Sequence, residues 1–350
     1  MLTPCERCGY HRPRPRPLGA KRFTSALVPF VLALVRQRGL DARALEKKYL
    51  HVRTAAGVAM PEVSLDELGA ILADAGKLLK DPLFGLHAAL AMPRGSYGLM
   101  EFGLRSAPTG RVAMEQLAKF GALINPLVRW TLEVDGGEVA LHHRAPRKGG
   151  MGPQGNVFTV ARILQIAREM MGDDVMPAHV WLAHDAKECP PELAKFLGTT
   201  SIAFGRASNG LSFSEETLAR VPAGADLELN RALELHGAAV MAQCGDLDDA
   251  YERTRAVVLE QLPKGGVTLG KAAKRLHVTP RTLQRRLEEN GVSFAGLLNE
   301  VRRAQAERLL VRSDAGLAEV AQQVGYGDTA AFVRAFKSWT GTTPGKFREQ

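Results

Sequence analysis

Hydrophobic residues in the first two thirds of the chain recur mainly every three to four positions, which predicts a fold rich in helices. Ser25 to Arg38 is an apolar-rich segment with this spacing, and Gly39 directly after it is typical of a helix end. Ser64 begins a capping-box sequence, Ser-Leu-Asp-Glu, and apolar residues continue at helical spacing to about Leu79. Both segments are predicted to be helices.

Two longer helices are predicted further along the chain. Thr109 is a cap residue at the start of a helical pattern that continues to Asn125. Val157 to Met171 has the pattern of a long helix, with Arg162 and Arg168 on its polar side.

Strict alternation of apolar and polar residues appears in a few places and predicts β-strands. Val128 to Val134 alternates, residues 135–137 (Asp-Gly-Gly) have turn chemistry, and residues 138–144 alternate back, which predicts a β-hairpin. His179 to His184 is predicted to be another strand. Residues 23–242 are therefore predicted to form a helix-rich α+β domain.

The first 22 residues are rich in proline and arginine and lack helical or strand periodicity, so they are predicted to be a disordered tail. An over-extended start codon is an alternative explanation of this segment. Cys5 and Cys8, with His11 nearby, offer three candidate zinc ligands, whereas a structural zinc site uses four. No metal site is therefore expected.

A repeated unit occupies the last hundred residues. Thr268–Gly291 and Gly316–Gly341 share apolar positions at an offset of 48 residues before a turn and 49 after it. Each copy is predicted to be a short helix, a tight turn and a second helix. The matched core positions are Ala273 with Ala321, Leu276 with Val324, Leu283 with Phe332, and Leu287 with Phe336.

The second helix of each copy has its own start signal. Thr279 precedes Pro280 at the first helical position, and Asp328 takes the same capping place in the second copy. Gly325 and Gly327 are predicted to permit the tight turn before it.

The outward faces of these second helices carry the side chains that we predict to contact DNA. They are Arg281, Thr282, Gln284 and Arg285 in the first copy, and Thr329, Ala330, Arg334 and Lys337 in the second. Arg286 lies on the same outward face of the first copy. Arginine pairs with guanine, glutamine with adenine, and methyl groups contact thymine. Both faces are expected to lack acidic side chains beyond the capping Asp328. The pattern is typical of helix-turn-helix units, with two helical hairpins bearing solvated basic faces as the alternative.

A continuous helical pattern, Ser293 to Arg312, lies between the two copies. Twenty residues at 1.5 Å each make a rod of roughly 30 Å, and one turn of B-DNA advances roughly 34 Å. The rod is therefore predicted to hold both recognition helices near successive major grooves. The C-terminal domain, residues 247–350, is thus predicted to be all-α, with two helix-turn-helix units joined by a long helix.

Charge supports this assignment. The whole chain carries a net charge of +9, and residues 253–350 hold 17 Lys and Arg against 9 Asp and Glu, a net charge of +8. A small and strongly basic terminal domain indicates nucleic-acid binding.

The N-terminal domain shows no catalytic signature. It has no phosphate-binding G-x-x-x-x-G-K-[ST], no H-E-x-x-H and no G-x-S-x-G motif, so neither an enzyme activity nor a cofactor is expected. His142 and His143 are adjacent on a predicted strand and point to opposite faces, so they cannot hold one metal ion together. Cys189 and Cys244 are predicted to be ordinary buried thiols.

The longest apolar run, Ala26–Val35, is too short to cross a bilayer, and no secretory signal is visible. Four cysteines do not make a disulfide framework in a chain of this length. The cytoplasm is therefore the expected location, without a membrane partner.

The C-terminal repeat resembles the arabinose-regulator (AraC/XylS-type) family of bacterial transcription factors. The resemblance runs from about Leu247 to Gln350 and is carried by RTLQRRL (Arg281–Leu287), RRAQAERLL (Arg302–Leu310) and GYGDTAAFVRAFKSWTGTTPGKFR (Gly325–Arg348). Many members have serine at the position of Gly327. The resemblance implies base-reading roles for Arg281, Gln284 and Arg285 in the first recognition helix, and for Thr329, Ala330 and Arg334 in the second.

Residues 23–242 resemble the regulatory domain that precedes the DNA-binding domain in one branch of this family. Lys80–Thr109 and Ser201–Leu218 carry this resemblance. It implies a domain that senses a small-molecule effector of unknown identity, with a homodimer left open. The whole chain is therefore predicted to be a sequence-specific transcription regulator, an activator, whose partners are double-stranded DNA, the effector and RNA polymerase.

Two alternatives from other classes remain at this point. One is an alkyl-transferring DNA-repair enzyme, because some of those carry the same DNA-binding unit. Cys5 and Cys8 would favour it, although the four-cysteine zinc site of those enzymes is absent. The other is a DNA-binding protein that responds to no effector.

Overall fold

The structure is a computed structural model that describes residues 22–55, 58–146, 149–243, 250–289, 292–312, 315–340 and 342–348. The helices in these ranges are α1 (Leu27–Gln37), α2 (Arg43–Tyr49), α3 (Leu65–Leu79), α4 (Phe84–Ala91), α5 (Leu99–Ser106), α6 (Gly110–Phe120), α7 (Gly152–Met171), α8 (Pro191–Leu197), α9 (Glu215–Leu218), α10 (Leu227–Gln243), α11 (Ala250–Gln261), α12 (Leu269–Arg275), α13 (Pro280–Glu289), α14 (Phe294–Arg312), α15 (Leu317–Gln323), α16 (Thr329–Thr340) and α17 (Pro344–Arg348). The strands are β1 (Arg22–Thr24), β2 (His51–Ala55), β3 (Val58–Ser64), β4 (Arg129–Asp135), β5 (Glu138–Arg144), β6 (His179–Trp181), β7 (Ile202–Ala203) and β8 (Asn209–Ser214).

Helices dominate, and the strands form two small sheets, so the predicted fold class is confirmed. One sheet has the order β1-β3-β2, and the other has the order β4-β5-β8-β6-β7, antiparallel except for the β6–β7 pair. The predicted hairpin is β4–β5. Its two-residue turn, Gly136 and Gly137, has φ values of 58° and 85°, a geometry that suits the twist of hairpin strands.

Local start signals are confirmed where they were predicted. Ser64 Oγ accepts a hydrogen bond from Glu67 N, and the Glu67 carboxylate accepts one from Ser64 N, so the capping box is complete. Thr109 Oγ1 accepts a hydrogen bond from Val112 N at the start of α6.

Several element ends differ from the prediction. The helix after Thr109 ends at Phe120 and continues as a single 3-10 turn to Leu123, short of Asn125. The strand from His179 ends at Trp181 rather than His184, and α7 starts at Gly152 rather than Val157. Element ends depend on tertiary contacts that the local pattern does not contain.

Arg22 was predicted to close the disordered tail, and this is wrong. Arg22 pairs with Ser64 in the β1–β3 ladder, and its Nη1 donates a hydrogen bond to Glu67 Oε1 at 3.1 Å. These partners lie more than forty positions away, so composition around residue 22 gave no sign of them. The rest of the predicted tail, with Cys5, Cys8 and His11, lies outside the described residues.

Strand β5 separates two environments. Val139, Leu141 and His143 are buried on the face that packs into the N-terminal core. His142 and Arg144 point the other way, into a groove whose far side is formed by α14. This alternation confirms that the two adjacent histidines face opposite sides.

The C-terminal residues form two small cores that share α14. Leu297 and Val301 of α14 belong to the first core, together with α11, α12 and α13. Ala306 and Leu310 belong to the second, together with α15, α16 and α17. The corresponding α14 residues are nine positions apart, about two and a half helical turns. The two cores therefore lie on opposite sides of α14, offset along it by about 14 Å.

The division predicted between residues 242 and 247 falls at residues 244–249, which the structure does not describe. That boundary stays a prediction. None of the helices in the described part of the chain has the length and apolar character that crossing a bilayer requires.

Candidate DNA-binding surface and ligand cavity

The first recognition helix, α13, starts as predicted. Thr282 N donates a hydrogen bond to Thr279 Oγ1 at 3.1 Å, so Thr279 caps the helix and Pro280 is its first residue. Leu283 and Leu287 are fully buried in the first core, which leaves the opposite side of the helix in solvent.

The second recognition helix, α16, is capped by Asp328. Its carboxylate accepts hydrogen bonds from Ala331 N at 2.9 Å and from Ala330 N at 3.1 Å, and these bonds lower the pKa of Asp328. Phe332 and Phe336 are fully buried with ring centroids 5.7 Å apart. The phenylalanine pair is therefore core, as predicted.

All eight side chains predicted to contact DNA reach solvent. Arg281, Gln284, Arg285, Ala330, Arg334 and Lys337 are exposed, and Thr282 and Thr329 are half-buried at their helix starts. Arg286, on the same helix as Arg285, is half-buried. Exposure is what contact with DNA requires, and the contacts themselves stay a prediction.

One expectation about these faces is wrong. Gln284 Nε2 donates a hydrogen bond to the exposed carboxylate of Glu288 at 2.9 Å, so the first face does contain an acidic side chain. Glu288 lies one helical turn after Gln284 and is therefore its neighbour on the helix surface. Gln284 has to leave Glu288 before it can pair with a base.

The two units make the same turn with different residues. His277 has a φ of 55° and Gly325 a φ of 77°, and the two positions are equivalent in the repeat. A Cβ atom on Gly325 would lie 3.0 Å from Leu262 O, so glycine allows close packing there as well as the left-handed conformation. Gly327, predicted to help the same turn, has no positive φ.

Arg302 braces the second unit against the rod. Its Nη2 donates a hydrogen bond to Gly325 O at 3.3 Å, and its guanidinium lies 4.6 Å from the centre of the Tyr326 ring. Both partners lie in the turn before α16. The orientation of the second recognition helix is thus tied to α14 by a cation–π contact and a hydrogen bond.

The C-terminal helices contact the N-terminal sheet through charged and polar groups. Arg144 of β5 forms an ion pair with Glu300 of α14 and donates a hydrogen bond to Tyr251 Oη at 3.2 Å. Tyr251 Oη in turn donates to Glu300 Oε1 at 2.6 Å. Arg144 is buried, so this triangle is shielded from solvent.

Two further ion pairs lie along the same boundary. Arg255 Nη2 of α11 lies 2.8 Å from Glu133 Oε1 of β4, and Arg206 Nη1 lies 3.2 Å from Glu307 Oε1 of α14. His142 Nε2 lies 3.5 Å from the other oxygen of Glu133. The nearby imidazole of His142, assisted by the charge of Arg255, lowers the pKa of Glu133 to about 2.

A largely apolar cavity of about 120 Å³ lies on the other side of the sheet. Its apolar lining comes from five helices and includes Leu27, Leu72, Leu104, Leu117, Phe158 and Ile166. Trp130 of β4 and His143 of β5 form part of its wall, with ring centroids 4.6 Å apart in an edge-to-face arrangement. A concave, mainly apolar space with a few polar groups is typical of a small-molecule site.

Arg162 is the cationic residue of the cavity wall. It is 2% exposed and was predicted on the polar side of its helix, which is wrong. The charge of Arg162 is balanced by the fully buried Glu101, which is not part of the cavity wall: Arg162 Nη2 lies 3.1 Å from Glu101 Oε1. Arg105 and Glu169 complete this cluster through a bond of 2.5 Å, so two cations meet two anions.

His143 is neutral at physiological pH, because burial lowers its pKa to about 4. Asn209 Oδ1 accepts a hydrogen bond from Ala183 N, which fixes the amide so that Nδ2 faces His143 Nδ1 at 3.3 Å. His143 Nδ1 is therefore the acceptor in that bond, and the ring proton is on Nε2.

The cavity residues were not found from the sequence. Phe158 lies four positions before Arg162 and Ile166 four positions after it, and both are apolar. This stripe is the local signal that marks Arg162 as facing the core. No such local signal marks Trp130, because the residues that surround it come from other parts of the chain.

No group of three His, Cys, Asp or Glu side chains suited to a metal ion occurs in the residues that the structure describes. Cys189 is half-buried, with Sγ 3.7 Å from Pro190 O, and burial raises the pKa of its thiol. Cys244 lies outside the described residues.

Two family models match the chain. Residues 32–221 match the arabinose-binding domain of AraC transcription regulators, and residues 272–350 match a helix-turn-helix domain. The first match covers β2 to β8 and all of the cavity wall except Phe23, Ser25 and Leu27, and the second covers both recognition helices.

The chain is also similar to individual regulators. It is 25% identical to the ornithine utilization regulator of Pseudomonas aeruginosa over 344 residues, 93% of this chain and 98% of that protein. It is 26% identical to VirS of Mycobacterium tuberculosis over 76% of this chain and 78% of VirS. The urease operon transcriptional activator of Escherichia coli is 37% identical over 29% of this chain and 35% of its own length. The crystal structure of the transcriptional regulator CdpR from Pseudomonas aeruginosa aligns over 92% of this chain and 96% of CdpR, with 21% identity and a TM-score of 0.40.

Proposed function

Since the chain belongs to the AraC family of DNA-binding transcription regulators, we propose that a small molecule in the N-terminal cavity controls how it binds DNA. The observation that carries this proposal is the single sheet between the two parts. The cavity lies on one face of β5, and the groove to α14 lies on the other. A ligand that shifts β5 therefore acts directly on the contacts of α14.

We propose that DNA binding uses both recognition helices. Lys and Arg contacts to phosphates supply affinity, and the exposed faces of α13 and α16 supply specificity. Arg281, Gln284 and Arg285 read bases in one major groove, and Thr329, Ala330 and Arg334 contact the next. Lys337 and Thr282 contact the backbone beside them.

Genome-wide footprinting tests DNA recognition and supplies the operator sequence. We expect two protected half-sites on one face of the duplex, about 10 base pairs apart. Inserting 5 base pairs between them turns one half-site to the opposite face, so the affinity should fall to that of a single half-site. A control operator with 5 base pairs changed outside the half-sites should bind normally. Full affinity for the insertion operator would contradict simultaneous binding by the two helices.

We further propose that the protein activates transcription by contacting RNA polymerase in the cytoplasm. The support is a relative over the DNA-binding part that is named an activator. A reporter gene behind the footprinted operator tests the direction of control. Expression should rise when the protein and its ligand are both present, and a fall in expression would make it a repressor.

The alternatives are distinguished by separate measurements. An alkyltransferase is not favoured, because the N-terminal part matches a regulator domain. The ornithine in the name of one relative is not carried over to this chain, because no acidic side chain in the described cavity wall would receive its ammonium groups. A protein without an effector would give the same reporter output under every growth condition.

A further inference from the structure

Several hydrogen-bond donors in the cavity wall have no acceptor among the described residues. The buried atoms Trp130 Nε1, Arg162 Nε and Arg162 Nη1 have no hydrogen-bond acceptor within the described protein. Arg162 Nη1 has only a distant ionic neighbour, Glu169 Oε1 at 3.9 Å. A buried donor without an acceptor is costly, so a bound group that accepts hydrogen bonds is favoured there.

Three acceptors on the same wall already receive a hydrogen bond from the protein. Asn125 Oδ1 accepts from Leu127 N at 3.0 Å, and Ser25 Oγ accepts from Leu27 N at 3.2 Å. His143 Nδ1 accepts from Asn209. A ligand that donates hydrogen bonds, such as an ammonium group or a sugar hydroxyl, has to share these three acceptors with protein donors, whereas a ligand that accepts them meets donors with no partner in the part of the chain that the structure describes.

Arg162 is positioned as an anchor. Glu101 and Pro93 O hold its Nη2 at 3.1 Å and 3.3 Å, which fixes the guanidinium and leaves its other nitrogens available. The rest of the wall is mainly hydrocarbon. The buried cluster is balanced in charge, with Arg162 and Arg105 against Glu101 and Glu169. A carboxylate is therefore favoured by geometry: its two oxygens match the planar donors of a guanidinium and accept charge-assisted hydrogen bonds from them.

We propose that the cavity binds a small hydrophobic carboxylic acid as its anion, with the carboxylate on Arg162 and the hydrocarbon part among Leu72, Leu104 and Phe158. Trp130 Nε1 is the second donor of this site. A role for this acid in the cell depends on the effector control proposed above. Binding of the acid to the cavity is measured without DNA.

The test uses the full-length chain and named probes. Hexanoate, octanoate, benzoate and phenylacetate are each compared with their primary amides and with hexylamine, benzylamine and arabinose. We expect at least one acid to raise the melting temperature by several degrees, its amide to raise it less, and the amines and arabinose to leave it unchanged. If no acid raises it, or if an amide, an amine or arabinose binds as tightly as the best acid, the proposal is overturned.

A matched pair of variants locates the site. Arg162→Gln should weaken binding of the best acid at least about tenfold and bring the acid-to-amide ratio close to one. Arg168→Gln removes a cation of the same helix that touches neither the cavity wall nor the Glu101 cluster, because Arg168 bonds to Val175 O and Phe196 O, and it should keep the ratio. If Arg162→Gln does not fold, Arg162→Lys replaces it, since it keeps the positive charge but loses the fixed donors. An unchanged acid-to-amide ratio in the position-162 variant overturns the assignment.

The two proposals can fail separately. An acid that binds through Arg162 but changes neither operator affinity nor reporter output would refute effector control and leave the cavity assignment intact. A ligand that switches the reporter equally well in the wild type and in the position-162 variant would refute the assignment and leave effector control intact.

Discussion

Glu133 Oε1 and Arg255 Nη2 lie 2.8 Å apart and join the N-terminal sheet to α11 of the DNA-binding part. The pair is partly exposed, with 43% of the Glu133 side chain and 20% of the Arg255 side chain accessible. Exposed pairs contribute about 0.2–1 kcal/mol. The contact is therefore weak enough to be rearranged by a ligand on the other side of the sheet.

We predict that Glu133→Gln and Arg255→Gln each lower the melting temperature by about 1–3 °C, and that the double variant loses no more than either single one. The pKa of Glu133 is lowered first by His142 and then by the charge of Arg255, so the ionised carboxylate with these neighbours stabilises the folded state above the unfolded pKa of this group. The stabilisation should disappear as the pH falls from about 4.5 towards 2. Calorimetry across this range measures it.

The control for this cycle is Glu260→Gln, which breaks the 2.6 Å pair with Arg275 inside the C-terminal part. Its effect should add fully to that of Glu133→Gln, because the two pairs share no partner. Full additivity of Glu133→Gln with Arg255→Gln would instead show that their contact carries no coupling.

Arg285→Ala is predicted to weaken specific DNA binding about 5- to 150-fold, the cost of losing one bidentate base contact, with a much smaller effect on non-specific DNA. Lys337→Ala should weaken both kinds of binding by a similar factor and reduce the salt dependence by about one counterion. Fluorescence anisotropy with the operator and with a scrambled duplex, at several salt concentrations, compares the two variants. Equal losses of Arg285→Ala on both duplexes would remove its base-reading role.

Gly325→Ala is predicted to destabilise the second unit by at least about 1 kcal/mol, since the left-handed backbone and the nearby Leu262 O both oppose a Cβ atom. His277→Gly makes the opposite exchange at the equivalent turn and should be neutral or stabilise by up to about 1 kcal/mol. Thermal unfolding of both variants gives the comparison. A large loss in His277→Gly would mean that the histidine side chain has a packing role.

His143 predicts a specific pH dependence. Burial lowers its pKa to about 4, whereas the unfolded chain takes up a proton near pH 6.5. Between these values the unfolded state binds more protons, so stability falls as the pH falls through this window. The loss at pH 5 is of the order of 2 kcal/mol relative to pH 7.

The matched variant for this prediction is His143→Gln, which lacks the titrating group. Its melting temperature should decline less than that of the wild type between pH 7 and pH 5. Parallel declines would show that His143 titrates with an ordinary pKa and is reached by water.

The sequence predicted what is decided locally. Thr279, Asp328 and Ser64 were recognised as caps because each bonds to backbone only two or three residues away. The strand alternation that separates His142 from His143 is equally local. These features needed no knowledge of the rest of the fold.

The cavity could not be predicted in the same way. Arg162 was placed on a polar helix face because its partner, Glu101, lies 61 positions away. The bond between Gln284 and Glu288 is different, because these residues are neighbours at helical spacing and their contact is predictable from the sequence. Pairing between charged groups that are far apart in the chain cannot be predicted from one sequence, because it depends on the fold.

Strand β5 has a consequence for how this protein can change over evolutionary time. His143 and Arg144 are consecutive residues, yet the His143 side chain lines the cavity and the Arg144 side chain pairs with Glu300 of α14. Substitutions at the cavity wall can change the shape and polarity of the cavity while leaving the contacts with α14 intact, and the reverse also holds. The cavity wall and the interface with α14 can thus diversify separately in sequence, although any movement of β5 changes both.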